Sequence, residues 1–160
     1  MERDGVTSVV KIIVDADACP VKNEIEYAAR QFEIEAWMVA SYDHRLVPRE
    51  GIKTIQVDRS DQSADLYIAN CIQASDILIT QDYGLATIGL AKQAYVLSNR
   101  GHAYSPATID FMLETRHDLA KQRRAGKHSK GPKAFTQQDR DRFLQSLTKL
   151  LENLQENGSR

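Results

Sequence analysis

The chain is read as an α/β domain built on a parallel sheet with helices on both faces. Three observations predict this. Short β-branched runs alternate with segments whose apolar residues recur at helical spacing, the pattern of strand–helix–strand units. The 160 residues are enough for one core, since a chain of about 150 residues buries roughly 68–70% of its unfolded surface. Hydrophobic residues make up 42% and charged residues 27%, the balance of a soluble globular protein.

The elements follow in order. Val9-Val10-Lys11-Ile12-Ile13-Val14 is short, β-branched and mostly apolar, and predicts a buried strand. Pro20 suits the first turn of a helix, and Val21, Ile25, Ala28, Ala29 and Phe32 give that helix its inner face. Ala36–Ala40 is a second strand, residues 42–51 a loop carrying Asp43, Pro48 and Gly51, and Thr54–Val57 a third strand. A helix begins near Ser63 with Ile68, Ala69 and Ile72 as its stripe. Ile77–Thr80 is the fourth strand, Leu85–Ala91 a short helix and Ala94–Leu97 the fifth strand. Ser105-Pro106 then starts a helix, Ser as cap and Pro at the first position, with Ile109 and Leu113 facing inward. Gly126, Gly131 and Pro132 interrupt the segment after it. Thr136 opens a last helix with Asp139 as a capping-box partner and Phe143, Leu147, Leu150, Leu151 and Leu154 as its stripe.

The formal net charge of −1 argues, as an average, against a polybasic nucleic-acid binder. The average hides a split. Residues 1–115 carry 10 basic and 17 acidic side chains, and residues 116–135 carry 7 basic and 1 acidic. Such asymmetry is a prior for an anionic partner. Two cysteines, Cys19 and Cys71, are too few for a secreted disulfide framework and read as reduced thiols. No stretch resembles a signal segment or a membrane span, so the expectation is a cytoplasmic protein without a membrane partner.

The acids stand out by position. Asp15 and Asp17 follow the first strand, and an extended backbone would turn both to one side. Paired carboxylates repel, so they must be solvated, share a proton or bind a cation. The alternative for Asp17 is a cap on the next helix. Asp65 shares the inner face of its helix with Ile68, Ala69 and Ile72, and Asp61 lies four residues earlier as a further acid. Asp82 follows the fourth strand. Ligands in open parallel sheets bind beyond the carboxyl ends of the strands, where Asp15, Asp17, Asp65 and Asp82 would converge. These oxygen ligands suit Mg²⁺ or Mn²⁺, and such an ion supports phosphodiester hydrolysis. Asp76 precedes its strand and belongs to the opposite rim. His44, His102, His117 and His128 show no zinc spacing, and Cys19, beside carboxylates, reads as a small buried residue rather than a nucleophile.

Asp15-Ala16-Asp17-Ala18-Cys19-Pro20-Val21, Asp61-Gln62-Ser63-Ala64-Asp65 and Ile79-Thr80-Gln81-Asp82-Tyr83-Gly84-Leu85-Ala86 resemble the YaiI/YqxD family of uncharacterised bacterial proteins. Asn99-Arg100-Gly101 and Gly131-Pro132-Lys133-Ala134-Phe135 also match, and the resemblance runs from about Lys11 to Leu151. That family is similar to PIN-like domains. The resemblance implies a three-layer sandwich, a mostly parallel five-stranded sheet in the order 3-2-1-4-5, additional C-terminal helices and an acidic metal site. With the charge split and the helix starts read above, the expectation is one PIN-like domain over 9–155, with a basic segment 116–135, a helix over 136–155, and flexible termini at 1–8 and 156–160. Many PIN-like proteins are Mg²⁺- or Mn²⁺-dependent ribonucleases. By position, Asp15, Asp65 and Asp82 resemble their acids. The further acid usual after the last of these is missing, since Tyr83, Gly84, Leu85 and Ala86 follow, and Asp17 would compensate.

The leading expectation is therefore a metal-dependent nuclease acting on RNA, or on another phosphate-bearing ligand. Asp15, Asp17, Asp65 and Asp82 would hold the cation. Arg116, Lys121, Arg123, Arg124, Lys127, Lys130 and Lys133 would hold the backbone. Arg100, after the fifth strand, would reach a phosphate or merely shape a turn with Gly101. Tyr83 and Tyr104 are candidates for base stacking or ordinary core contacts. Two other readings stand beside it. One is a haloacid-dehalogenase-like phosphohydrolase, with Asp15 as nucleophile and Asp17 as acid/base, against which Cys19 replaces the usual Thr or Ser. The other is a non-catalytic protein that binds RNA or another anion.

Overall fold

A computed structural model describes residues 10–17, 19–41, 49–58, 63–126 and 134–158. The elements are β1 (Lys11–Asp15), α1 (Lys22–Gln31), β2 (Glu35–Ser41), β3 (Ile52–Val57), α2 (Ser63–Cys71), β4 (Ile77–Ile79), α3 (Tyr83–Ala91), β5 (Tyr95–Leu97), α4 (Pro106–Arg124) and α5 (Gln137–Gly158). The strands form one sheet in the order β3-β2-β1-β4-β5, and every pairing in it is parallel.

The apolar runs dictate this arrangement. Ile12, Ile13 and Val14 are fully buried, as a strand covered on both faces requires. Ile12 and Val14 join α1 and α5 in one core layer through Ile25, Phe143, Leu147 and Leu151. Ile13 joins α2, α3 and α4 on the other face through Ile68, Leu85 and Ile109. Complete burial of each such side chain contributes about 1.5–3 kcal/mol. The acids after β1 and β4 thus lie at one rim, held by a core on either side.

Several boundaries differ from expectation. Pro20 stands just ahead of α1 rather than in its first turn, because Val21 is the N-cap. α3 begins at Tyr83 since Asp82 caps it there. Ile109 faces the core as expected, but Leu113 is 45% exposed, since among the described residues Ile109 is the α4 side chain that the buried core takes in. α4 carries the first part of the basic segment to Arg124, and Gly126 then takes φ +84, a left-handed conformation suited to glycine past a helix end. Thr136 and Asp139 form the expected reciprocal cap, with Thr136 N–H donating to Asp139 Oδ2 at 3.0 Å and Asp139 N–H to Thr136 Oγ1 at 3.1 Å. α5 runs on to Gly158, past the expected end at 155. Most of the loop over 42–51 and the termini 1–8 and 159–160 lie outside the described residues. Among the described residues, no helix is long and apolar enough to cross a membrane.

Candidate functional site

Asp15 closes β1 at the sheet's carboxyl rim. Its Oδ2 accepts a hydrogen bond from Thr80 Oγ1 at 2.9 Å. Thr80 is fully buried, and its Oγ1 accepts the backbone N–H of Asp82 at 3.0 Å. One hydroxyl therefore sets both the Asp15 carboxyl and the Asp82 backbone. Asp82 Oδ1 then accepts from Gly84 N–H at 2.8 Å and Leu85 N–H at 3.2 Å, capping α3. Asp65 enters from the first turn of α2, near enough to Asp82 and Asp15 to feel their charges.

Asp17 diverges from Asp15. β1 ends at Asp15, so the alternation of an extended strand stops there. Asp17 Oδ1 accepts from Ser41 N–H at 2.8 Å and Ser41 Oγ at 3.2 Å, at the end of β2. Asp15 turns instead to the β4 side. The N-cap of α1 is Val21, which makes no side-chain cap.

The acids feel one another. Burial raises the Asp15 pKa, the Thr80 hydrogen bond opposes this, and the charges of Asp17 and Asp82 raise it further. Asp65 is pushed up to about 6, first by burial, then by its carboxylate neighbours Asp82, Asp15 and Asp17. Even so, among the described residues no three Asp, Glu, His or Cys side chains close into a cation cage. Asp61 lies outside the described residues.

A pH dependence follows from Asp65. Its native pKa lies above the ordinary 3.8, so between about pH 4 and 6 the folded state binds more protons than the unfolded state. Stability therefore falls as pH rises through that window. In metal-free buffer, Asp65→Asn is expected to raise the melting temperature above about pH 6, with the gain vanishing below about pH 4. Thermal melts across that range check it. A pH-independent difference would contradict the assignment.

The remaining candidates are dispersed. Arg100 Nη1 contacts Asp139 Oδ2 at 2.5 Å, and its guanidinium lies 5.1 Å from the Phe135 ring centroid. It is engaged with the start of α5. Lys121, Arg123 and Arg124 are exposed at the end of α4. The side chain of Arg116, and Lys127, Lys130 and Lys133 entirely, lie outside what the structure describes. Tyr104 is buried, and its ring meets Tyr83 edge-on at 6.2 Å. Burial, then the charges of Tyr83 and Asp82, push the Tyr104 hydroxyl up to about 12. Tyr104 thus serves the core. Burial pushes the Cys19 thiol up to about 11, as suits an inert residue. Asp76 sits at the opposite rim, buried against Lys11.

Two site residues escaped the sequence reading: Thr80 and Ser41, the hydroxyls that orient Asp15 and Asp17. Thr80 had a signal, being a polar residue at the end of an apolar strand two positions before an acid. Ser41 had none, since its partner lies 24 residues away across β1 and β2.

The model of the uncharacterised bacterial YaiI/YqxD family matches residues 13–153. The chain belongs to that family. It is 42% identical over 153 residues to a UPF0178 protein of Halalkalibacterium halodurans, covering 96% of this chain and 98% of the relative. It is 49% identical to one of Listeria welshimeri, covering 91% and 97%. It is also 49% identical to one of Bacillus pumilus, covering 89% and 86%. No solved structure matches. The matched stretch includes Asp15, Asp65 and Asp82.

Proposed function

We propose that the protein is a divalent-cation-dependent nuclease that hydrolyses RNA phosphodiesters at the carboxyl rim of the sheet. One observation carries this reading: Asp15, Asp65 and Asp82, from three separate segments, stand close enough that the charges of the other two raise the proton affinity of Asp65. Thr80 and the α3 cap hold Asp15 and Asp82 in place, so these charges cannot swing apart to relieve their repulsion. A cation relieves it. All the donors are hard oxygens, as Mg²⁺ or Mn²⁺ prefers, and Mg²⁺ keeps several waters and takes only one or two carboxylates from the protein. Acids that converge without closing a cage fit that habit. Asp15, Asp65 and Asp82 would hold the ion, with Asp17 at the flank. When bound, such an ion polarises a phosphoryl oxygen and orients the substrate.

The basic segment supplies the other half of the reading. Lys121, Arg123 and Arg124 are exposed, and with Arg116, Lys127, Lys130 and Lys133 they would contact the phosphate backbone. Binding should then weaken with salt at a log–log slope of about −0.7 per phosphate contacted on a single strand. In an RNA cleavage assay titrated with Mn²⁺, wild type is expected to cut, and Asp15→Asn and Asp82→Asn to lose about a hundredfold or more, on the scale of losing one preorganised charge-stabilising group. Asn keeps the α3 cap, so loss at Asp82 would not reflect unfolding. Equal activity in wild type and both variants would overturn the proposal.

A second reading has one observation behind it. No acid follows Asp82 within Tyr83-Gly84-Leu85-Ala86, and α3 begins there. The protein would then bind RNA through the basic segment without turnover. Retention of RNA with no cleavage at any Mn²⁺ concentration would favour it.

A further inference from the structure

Among the described residues, α4 gives the buried core one side chain, Ile109. Ile109 is buried, but Phe111 is 69% and Leu113 45% exposed, and residues 121–124 are exposed as well. Two positions apart, Phe111 and Leu113 point to opposite flanks of the helix, so each flank carries one exposed apolar side chain.

The charges of α4 are ordered. Asp110, Glu114, His117, Lys121 and Arg124 recur at steps of four, three, four and three, which puts them on one stripe of the helix. The stripe runs from acid to base with His117 at its middle. Asp110 and Glu114 are like charges at i, i+4, and such neighbours destabilise an isolated helix. The helix dipole accounts for the bases in the last turn, but not for the acids. Its effect is confined to the end turns, and the first turn of α4 holds no acid. Among the described residues, none of the five makes an ion pair.

This pattern is its own complement when reversed. We infer that α4 is the contact between two copies of the chain, packed antiparallel about a two-fold axis near His117. Asp110 then faces Arg124 of the partner subunit, and Glu114 faces Lys121 of the partner subunit. Symmetry makes each pair twice, as an isologous contact demands. α4 offers a seam of about 28 Å at 1.5 Å per residue, with Phe111 and Leu113 beside the charged stripe. This pairing takes Lys121 and Arg124 out of the phosphate contacts proposed above and leaves that role to Arg123, which lies off the stripe, with Arg116, Lys127, Lys130 and Lys133.

Sedimentation of the full chain tests the inference. Wild type is expected to be a dimer at low salt. Glu114→Lys and Lys121→Glu should each weaken it about tenfold or more, because each turns two attractive pairs into two repulsive ones. The double variant E114K/K121E should restore the wild-type dimer, and that recovery separates pairing from unfolding. Circular dichroism checks that each variant is folded. A monomeric wild type would overturn the inference, as would single reversals that leave the dimer intact or a double variant that fails to recover it. A monomeric wild type whose RNA retention falls with Lys121→Glu would assign the stripe to RNA instead.

Discussion

Asp76→Ala is expected to cost about 3–5 kcal/mol of stability, the range for removing one partner of a buried ion pair. Asp76 is 1% exposed and does three things at once. Its Oδ2 meets Lys11 Nζ at 2.7 Å and accepts Gln73 N–H at 2.8 Å, while Oδ1 accepts Lys11 N–H at 3.2 Å. Alanine strands an ammonium and two amides together at the rim opposite the acid cluster. Lys11 would keep only the Trp37 ring, 5.1 Å away, and a cation over an aromatic face recovers about 0.5–2 kcal/mol. Lys11→Met should cost less, since Asp76 would keep both amides. Urea unfolding followed by the fluorescence of Trp37, the sole tryptophan, measures both. A cost for Asp76→Ala within about 0.5 kcal/mol, as at an ordinary surface site, would show that the pair is not structural.

That pair marks what a single sequence does and does not disclose. The place of Asp76 before its strand was enough to keep it out of the acid site. Its partner was hidden, because Lys11 lies 65 residues away and meets it only through the β1–β4 pairing that sets Ile12 beside Ile77. The only hint was a lysine inside an otherwise apolar run. The same limit applies to Arg100. Its position after β5 placed it at the acids' rim, whereas the contact that engages it, with Asp139, crosses 39 residues. Strands and helices were legible because their periodicity is local. Asp15, Asp65 and Asp82 could be brought together in advance because parallel topology sends every strand's carboxyl end to one rim. The divergence of Asp15 and Asp17 was not legible, since it depends on where β1 stops and on hydroxyls from two neighbouring strands.

Gly101→Ala should cost about 2–5 kcal/mol, and it tests how the Asn99-Arg100-Gly101 turn holds α5. Gly101 has φ +84, where an L-residue with a side chain pays roughly 1–2 kcal/mol. A Cβ there would also lie 2.8 Å from Ser146 Oγ, 2.9 Å from the Arg142 carbonyl oxygen and 3.0 Å from Phe143 Cα. The hydroxyl can rotate, but the α5 backbone cannot yield without moving Phe143, Leu147 and Leu151, all at most 2% exposed. Overpacking of this kind adds about 1–3 kcal/mol. Gly51→Ala separates the two contributions, because Gly51 has φ +80 and nothing within 4 Å of the added methyl. It should lose only the conformational part. Chemical denaturation of the two variants gives the difference, and amide exchange should show α5 opening first in Gly101→Ala. Equal losses would mean that the close approach of this turn to α5 adds nothing, and that only its left-handed backbone requires glycine.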